Sequence, residues 1–218
     1  MAPGQDVSAV IINYRTPDLA LRAARSLRSF YTALPLLLID NGSHDSSEEV
    51  LRAFARGNSE LLLNERNMHH GPAMDQALRR LATGFVLFLD SDTEVLRAGL
   101  IERMQAALLE RPQGYAAGKK IWMNRRGFDV PETAHGDSYI RPICMLLRRS
   151  MYFTLPHFER HGAPCLANMR AASARGLELI DFPVEEFIHH EGRGTASRHG
   201  YRLGWQGRLN YLLHRLGL

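Results

Sequence analysis

Cysteine is nearly absent. The 218-residue chain has two, Cys144 and Cys165, far apart in sequence, which excludes a disulfide scaffold and argues for reduced thiols in a cytosolic compartment. Long apolar runs are also missing, so no segment reads as a membrane span. Met1-Ala2-Pro3-Gly4-Gln5-Asp6 carries neither a basic nor an apolar segment, and it is not expected to act as a secretory signal. Neither sign of charge dominates: the formal net charge is +4. That balance suits a phosphate-bearing ligand or an anionic surface. Without a basic stripe interleaved with aromatics, and without zinc-finger spacing, it does not argue for nucleic acid. Internal repeats and low-complexity segments are absent. What remains is an ordinary globular composition, 45% apolar and 23% charged, with enough material for the core of one domain.

The first hundred residues alternate apolar runs with helical patterns. Val7 to Tyr14 (VSAVIINY) reads as a strand, followed by a helix from Thr16-Pro17-Asp18, with Thr16 as N-cap and Pro17 at the first helical position. Leu34 to Ile39 is a second buried run, and Ser46-Ser47-Glu48-Glu49 opens the next helix. Leu61 to Leu63 is a short third strand. A helix runs from Gly71-Pro72 to Leu81, and Phe85 to Leu89 forms a fourth strand. This alternation predicts a parallel sheet with helices on both faces. Beyond Thr93 the reading is a helix over about 97–110, a strand over 115–123 and a loop over 124–137. An apolar segment follows over 139–147, then a helix over 164–175 closed by Gly176 and a strand over 177–183. The segment 189–199 reads as a polar loop, and 201–216 as an amphipathic C-terminal helix.

Every one of the four strands ends in a polar cluster on the same edge: Asn13-Tyr14, Asp40-Asn41, Asn64 and Asp90-Ser91-Asp92. Open α/β sheets bind ligands at that edge. Taken alone, Asp90-Ser91-Asp92 is compatible with a plain polar turn. At the end of a buried strand, acids at i and i+2 can both reach one hard cation, and Mg²⁺ or Mn²⁺ takes such oxygen ligands together with substrate phosphates.

VSAVIINYRT, LLLIDNGSHD, NERNMHHGPAMDQAL and FVLFLDSDTEV, in that order, resemble the GT-A nucleotide-sugar-binding domain of family 2 glycosyltransferases. The resemblance implies an α/β fold of GT-A type, with a mostly parallel Rossmann-like sheet, helices on both faces and a short C-terminal amphipathic helix. It places a nucleotide-sugar-binding half at 1–110, an acceptor-side half at 111–200 and the helix at 201–218. It implies an inverting, metal-dependent transfer of a sugar from a nucleotide-diphosphate donor to a hydroxyl acceptor, a glycan or a lipid-linked molecule. Asn13, Tyr14, Asp40 and Asn41 fall where the family lines the base and ribose pocket. Asn67, Gly71 and Asp75 fall in the segment that approaches ribose and sugar. Asp90 and Asp92, around Ser91, match the metal motif for a divalent cation, Mn or Mg. His190 or His189 matches the histidine that completes the metal site, and Arg193 is placed to pair with a phosphate.

One departure stands out. The acidic pair that the family carries before the helix matched by 164–175 reads Pro164-Cys165 here. The candidate bases are then His161 and Glu159, with Glu185, Glu186 and Asp137 as alternatives, and loss of activity is a further reading. Cys165 reads as a small buried residue near a helix start, where a reactive thiol stays open. His69-His70 suits a metal or substrate contact as well as a solvated loop. A non-catalytic nucleotide-sugar binder keeps the same fold. A sugar nucleotidyltransferase is disfavoured, because Asn13-Tyr14-Arg15-Thr16-Pro17 lacks the glycine-rich basic loop that holds a triphosphate. The C-terminal helix sets Leu203, Trp205 and Leu209 among Arg202, Arg208 and Arg215. That pattern suits packing on its own domain, or peripheral contact with an anionic bilayer. The expected location is cytoplasmic, with the inner face of the membrane as the peripheral option.

Overall fold

The computed structural model describes residues 4–132, 136–159 and 162–192. Four parallel strands come first: β1 (Val7–Asn13), β2 (Leu36–Asp40), β3 (Ser59–Leu63) and β4 (Phe85–Leu89). They are linked by α1 (Pro17–Phe30), α2 (Ser47–Phe54) and α3 (His70–Arg80). The second half adds β5 (Thr93–Val95), α4 (Leu100–Leu109), β6 (Gly114–Met123), β7 (Asp129–Val130) and β8 (Asp137–Arg148). It closes with α5 (Arg149–Tyr152), α6 (Leu166–Ala174), β9 (Glu178–Asp181), a 3-10 turn at Val184–Glu186 and β10 (Ile188–His190).

The main sheet has the order β3-β2-β1-β4-β8-β6-β7, and β9 also pairs with β6. β8 runs antiparallel to β4 and β6, and β9 is parallel to β6. The expected mostly parallel sheet with helices on both faces is present. Its physical basis is visible in β2, where all five residues are buried. Successive side chains alternate across the pleat. Leu36 and Leu38 join a core with α1, α2 and α4. Leu37 and Ile39 join the other, with α3, α5 and α6. A strand covered on both sides needs apolar residues at every position, which is why these segments read as continuous runs.

Register aligns the strand ends. Asn13 stands opposite Asp40, and Asp40 opposite Leu63. The backbone carries the alignment one residue past each strand: Asn41 N–H donates to the Asn13 carbonyl and Asn64 N–H to the Asp40 carbonyl, each at 2.9 Å. The polar clusters therefore meet along one edge. β8 continues beyond that edge. Leu89 of β4 pairs with Cys144 and Asp90 N–H donates to Ile143 O, while residues 137–140 of β8 pair only with β6.

Two expectations are corrected. The segment read as a loop over 124–137 contains β7, paired antiparallel with the end of β6. Residues 189–190 do not open a loop, because Ile188–His190 forms β10, paired antiparallel with β5. Both strands have three residues, too few to show a period, and their pairing joins distant parts of the chain. The C-terminal helix expected over 201–216 lies outside the described residues.

Leu87 sits fully buried in the middle of β4. Leu87→Ala is expected to cost about 2–5 kcal/mol of unfolding free energy, read as a lower urea midpoint with an unchanged slope.

Candidate functional site

The first wall of the edge is a polar network at the ends of β1 and β2. Asn13 Nδ2 donates to Asp40 Oδ1 at 2.7 Å and to Ser43 Oγ at 3.2 Å. Asp40 also accepts from the Ser43 backbone N–H at 3.0 Å and its hydroxyl at 2.5 Å. Ser43 Oγ in turn accepts from Arg15 N–H at 2.9 Å. Buried polar groups hold their places when they are paired in this way. Gly42 lets the loop close: its φ is +72°, and a Cβ there would lie 2.3 Å from the Arg66 carbonyl carbon. A cleft of about 230 Å³ opens beside this network, lined in part by Asp40, Gly42, His44, Leu63 and Asn64.

The second network ties the loop before α3 to β2. Asn41 Oδ1 accepts from Asn64 Nδ2 at 3.0 Å and Met68 N–H at 3.2 Å. Its Nδ2 donates to Asn67 Oδ1 at 3.2 Å and to His69 O at 3.3 Å. Asn67 Oδ1 accepts His69 N–H at 2.8 Å. His69 is thereby held at φ 69°, ψ 168°, a region that is essentially glycine-only and costs on the order of 1–3 kcal/mol. His70 follows directly as the first residue of α3, and Gly71 is buried beside it.

The third feature is the acid turn. Asp90, Asp92 and His190 each offer a ligand atom, and these atoms lie within 4.8 Å of one another. β10 supplies the histidine, with His190 opposite Thr93 and His189 opposite Glu94. Neighbours on a strand face opposite ways. His190 Nε2 accordingly lies 3.2 Å from Asp92 Oδ1, whereas His189 is exposed. His70 approaches from α3, with Nε2 3.7 Å from Asp90 Oδ1. Burial, then the charge of Asp92, pushes the Asp90 carboxyl up to about 7. The hydrogen bond with Asp92 raises His190 above the usual imidazole range. Burial lowers His70 to about 4. Two carboxylates and an imidazole, partly desolvated and short of positive charge, fit a divalent cation in donor chemistry and spacing.

The sequence profile of Glycosyl transferase family 2 matches residues 8–172. The chain belongs to this family. No curated protein matches, but many solved structures share the fold. A mannosyltransferase from Pyrobaculum calidifontis, solved with GDP-Man and Mn²⁺, aligns over 84% of this chain and 55% of its own, with a TM-score of 0.63 and 14% identity. TarS from S. aureus, residues 1–349 with UDP-GlcNAc, aligns over 88% and 60%, with 0.61 and 17%. Glucosyl-3-phosphoglycerate synthase from Mycobacterium tuberculosis, solved with Mn²⁺, UDP and glucosyl-3-phosphoglycerate, aligns over 99% and 81%, with 0.62 and 16%. The chain thus spans less than two thirds of the first two proteins, and at these identities the likeness is one of fold, the GT-A fold.

The remaining sites of this family 2 domain are less convergent. Tyr14 is half-buried, with the Arg15 guanidinium 5.3 Å from its ring centroid. Ser91 is buried in the acid turn. Asp75 does not join the acid–histidine cluster: its carboxylate accepts from Tyr152 OH at 2.6 Å and Arg79 Nε at 2.8 Å, with His157 Nδ1 3.5 Å away. Glu159 is exposed. His161 and Arg193 lie outside the described residues. Glu185 is paired with Lys119 at 2.6 Å, Glu186 with Arg97 at 2.9 Å and Asp137 with Arg170 at 2.9 Å. Cys165 is fully buried, and burial holds its thiol far above the usual range, which rules out a reactive thiolate there. Gln76, whose Nε2 donates to Asn64 Oδ1 at 2.9 Å, was not singled out from the sequence.

A raised imidazole contributes stability below its unfolded value near 6.5, and loses that contribution as pH climbs through the folded value. The His190 ring of the metal-free protein is expected to titrate above 6.5 by NMR, and Asp92→Asn should bring it down. An unmoved titration would show that Asp92 does not hold it.

Proposed function

We propose that this domain transfers a sugar from a nucleoside-diphosphate donor to a hydroxyl acceptor, with inversion and with a divalent cation. The observation that carries the reading is the cluster of Asp90, Asp92 and His190, on the same edge as the Asp40 network. Asp40 and Asn13, with Tyr14 and Asn41, would bind base and ribose. A site that pairs a base N–H with a carboxylate discriminates strongly against bases lacking it. Asn67, Gly71 and Asp75 would border ribose and sugar, and Arg193 would meet a phosphate oxygen. Asp90, Asp92 and His190 would hold Mn²⁺ or Mg²⁺, with Ser91 between them. When bound, the cation supplies positive charge against the diphosphate.

Around that donor the chain positions and shields more than it reacts. Fixed carboxylates and amides cost no reorganisation when charge develops on the departing nucleotide. The proton of the acceptor hydroxyl would pass to His161 or Glu159. Residues 1–110 would form the donor half and 111–200 the acceptor side. The acceptor would be a glycan or a lipid-linked molecule, the latter suited to a C-terminal helix over 201–218 that touches an anionic membrane surface. Among the described residues no helix is long and apolar enough to cross a membrane.

A second reading, a non-catalytic nucleotide-sugar binder, is favoured by Pro164 and buried Cys165 in place of the acidic pair. Donor hydrolysis separates the two, since a binder keeps affinity and shows no metal-dependent turnover.

The test is a thermal-shift titration with UDP, GDP, dTDP and CDP, each with and without Mn²⁺. At a hundredfold excess over Kd, a ligand of the native state adds about 2.7 kcal/mol. One nucleotide should raise the midpoint only with metal, and Asp92→Asn should abolish that rise. The same substitution should cut turnover by about 10²–10³-fold with little loss of stability. No shift with any nucleotide would sink the donor site. Because His190 and Asp90 must give up protons to the cation, Mn²⁺ binding should tighten from pH 6 to pH 8, measured by calorimetry.

A further inference from the structure

We propose that His70 is an additional cation ligand, so that Asp90, Asp92, His190 and His70 form a centre of two carboxylates and two imidazoles. This assignment rests on the cation reading above. It starts from a distance. His70 Nε2 and Asp90 Oδ1 are 3.7 Å apart, too far for a hydrogen bond. The His70 ring makes no hydrogen bond among the described residues, although its side chain is only 28% exposed. Two ligand atoms with bonds of about 2.1 Å to one cation can stand no more than about 4.2 Å apart. The His70–Asp90 pair falls inside that span, as does the His190–Asp92 pair at 3.2 Å; His70 stands just outside the tighter group of Asp90, Asp92 and His190, so a cation there would draw its ring inward.

A second observation is independent of the ring. The residue that turns the chain into α3 is His69, held in a glycine-only conformation by Asn41 and Asn67. Strain of this kind persists where surrounding structure over-determines it, and it clusters at ligand clamps. Here it sets the first residue of α3 against the acid turn. The two imidazoles come from separate elements, one from α3 beside Asp90 and one from β10 beside Asp92, on the two acids of one turn.

The consequence is selectivity. Mg²⁺ is content with oxygen, whereas imidazole donors favour first-row transition ions. A second imidazole moves the centre away from Mg²⁺ and makes Mn²⁺ the better occupant.

The experiment uses the full chain and MnCl₂ alone, then with UDP or GDP. Electron spin-echo modulation of bound Mn²⁺ counts the coupled imidazole nitrogens. Two are expected in the wild type, one in His70→Asn and one in His190→Asn, with circular dichroism checking the fold of each. His70→Asn should also weaken Mn²⁺ binding by about 10–100-fold and change Mg²⁺ binding by much less, as read by displacement of Mn²⁺. A single nitrogen in the wild type, or unchanged Mn²⁺ affinity and selectivity in His70→Asn, would overturn the role of His70 and leave Asp90, Asp92 and His190 standing. No Mn²⁺ binding by the wild type under any condition would overturn the cation reading itself.

Discussion

Asp90 and Asp92 are two like charges on one tight turn, partly withdrawn from water. Asp92 lies 3.2 Å from His190, while Asp90 is pushed up to about 7 by burial and then by the charge of Asp92. Such a pair is uncomfortable without positive charge between its members. Much of the second half of the domain answers to that need. β5 and β10 bring an imidazole to Asp92, α3 brings another toward Asp90, and β8 caps the backbone of the turn through Ile143. The fold places imidazoles around the acids without neutralising both of them, which leaves room for a cation.

The Asp40 side of the edge is organised differently. Amides, a hydroxyl and one carboxylate there satisfy one another: Asn13, Asp40 and Ser43 in one group, Asn41, Asn64, Asn67 and Gln76 in the other. Each bond contributes modestly to stability, and leaving one of the buried members, Asn13, Asp40, Asn41, Ser43 or Asn64, unpaired costs more. The networks therefore act as rigid mounts for the loops, and they carry the strain at His69.

Parallel strands buried on both faces announce themselves as unbroken apolar runs, and the residue after each run must lie on the edge. Hence Asn13, Asp40, Asn64 and Asp90 were legible, and so was their common location. That the four strands run parallel followed from the alternation with helices. The sequence could not decide between His189 and His190, because that choice depends on the pleat of a three-residue strand whose partner is nearly a hundred residues away. His70 was ambiguous for a similar reason, since its direction is set by the side chains of Asn41 and Asn67. The Asp75 cluster with Tyr152, Arg79 and His157 was invisible, since α5 is too short to leave a pattern. Cys165 was read as a small buried residue near a helix start, and it is one.

The β5–β10 ribbon has a kinetic side. It joins Thr93 to His190, one of the longest loops the chain has to close, and such contacts form late because their entropy is lost before they add anything. When the first four strands have emerged from the ribosome, the acid–histidine cluster is still missing a member. The centre completes only when the end of the described chain returns to the turn after β4. The Asp90–Asp92–His190 group is thus tied to arrival of the last described strand, and partly made chains have the edge of the sheet without its histidine.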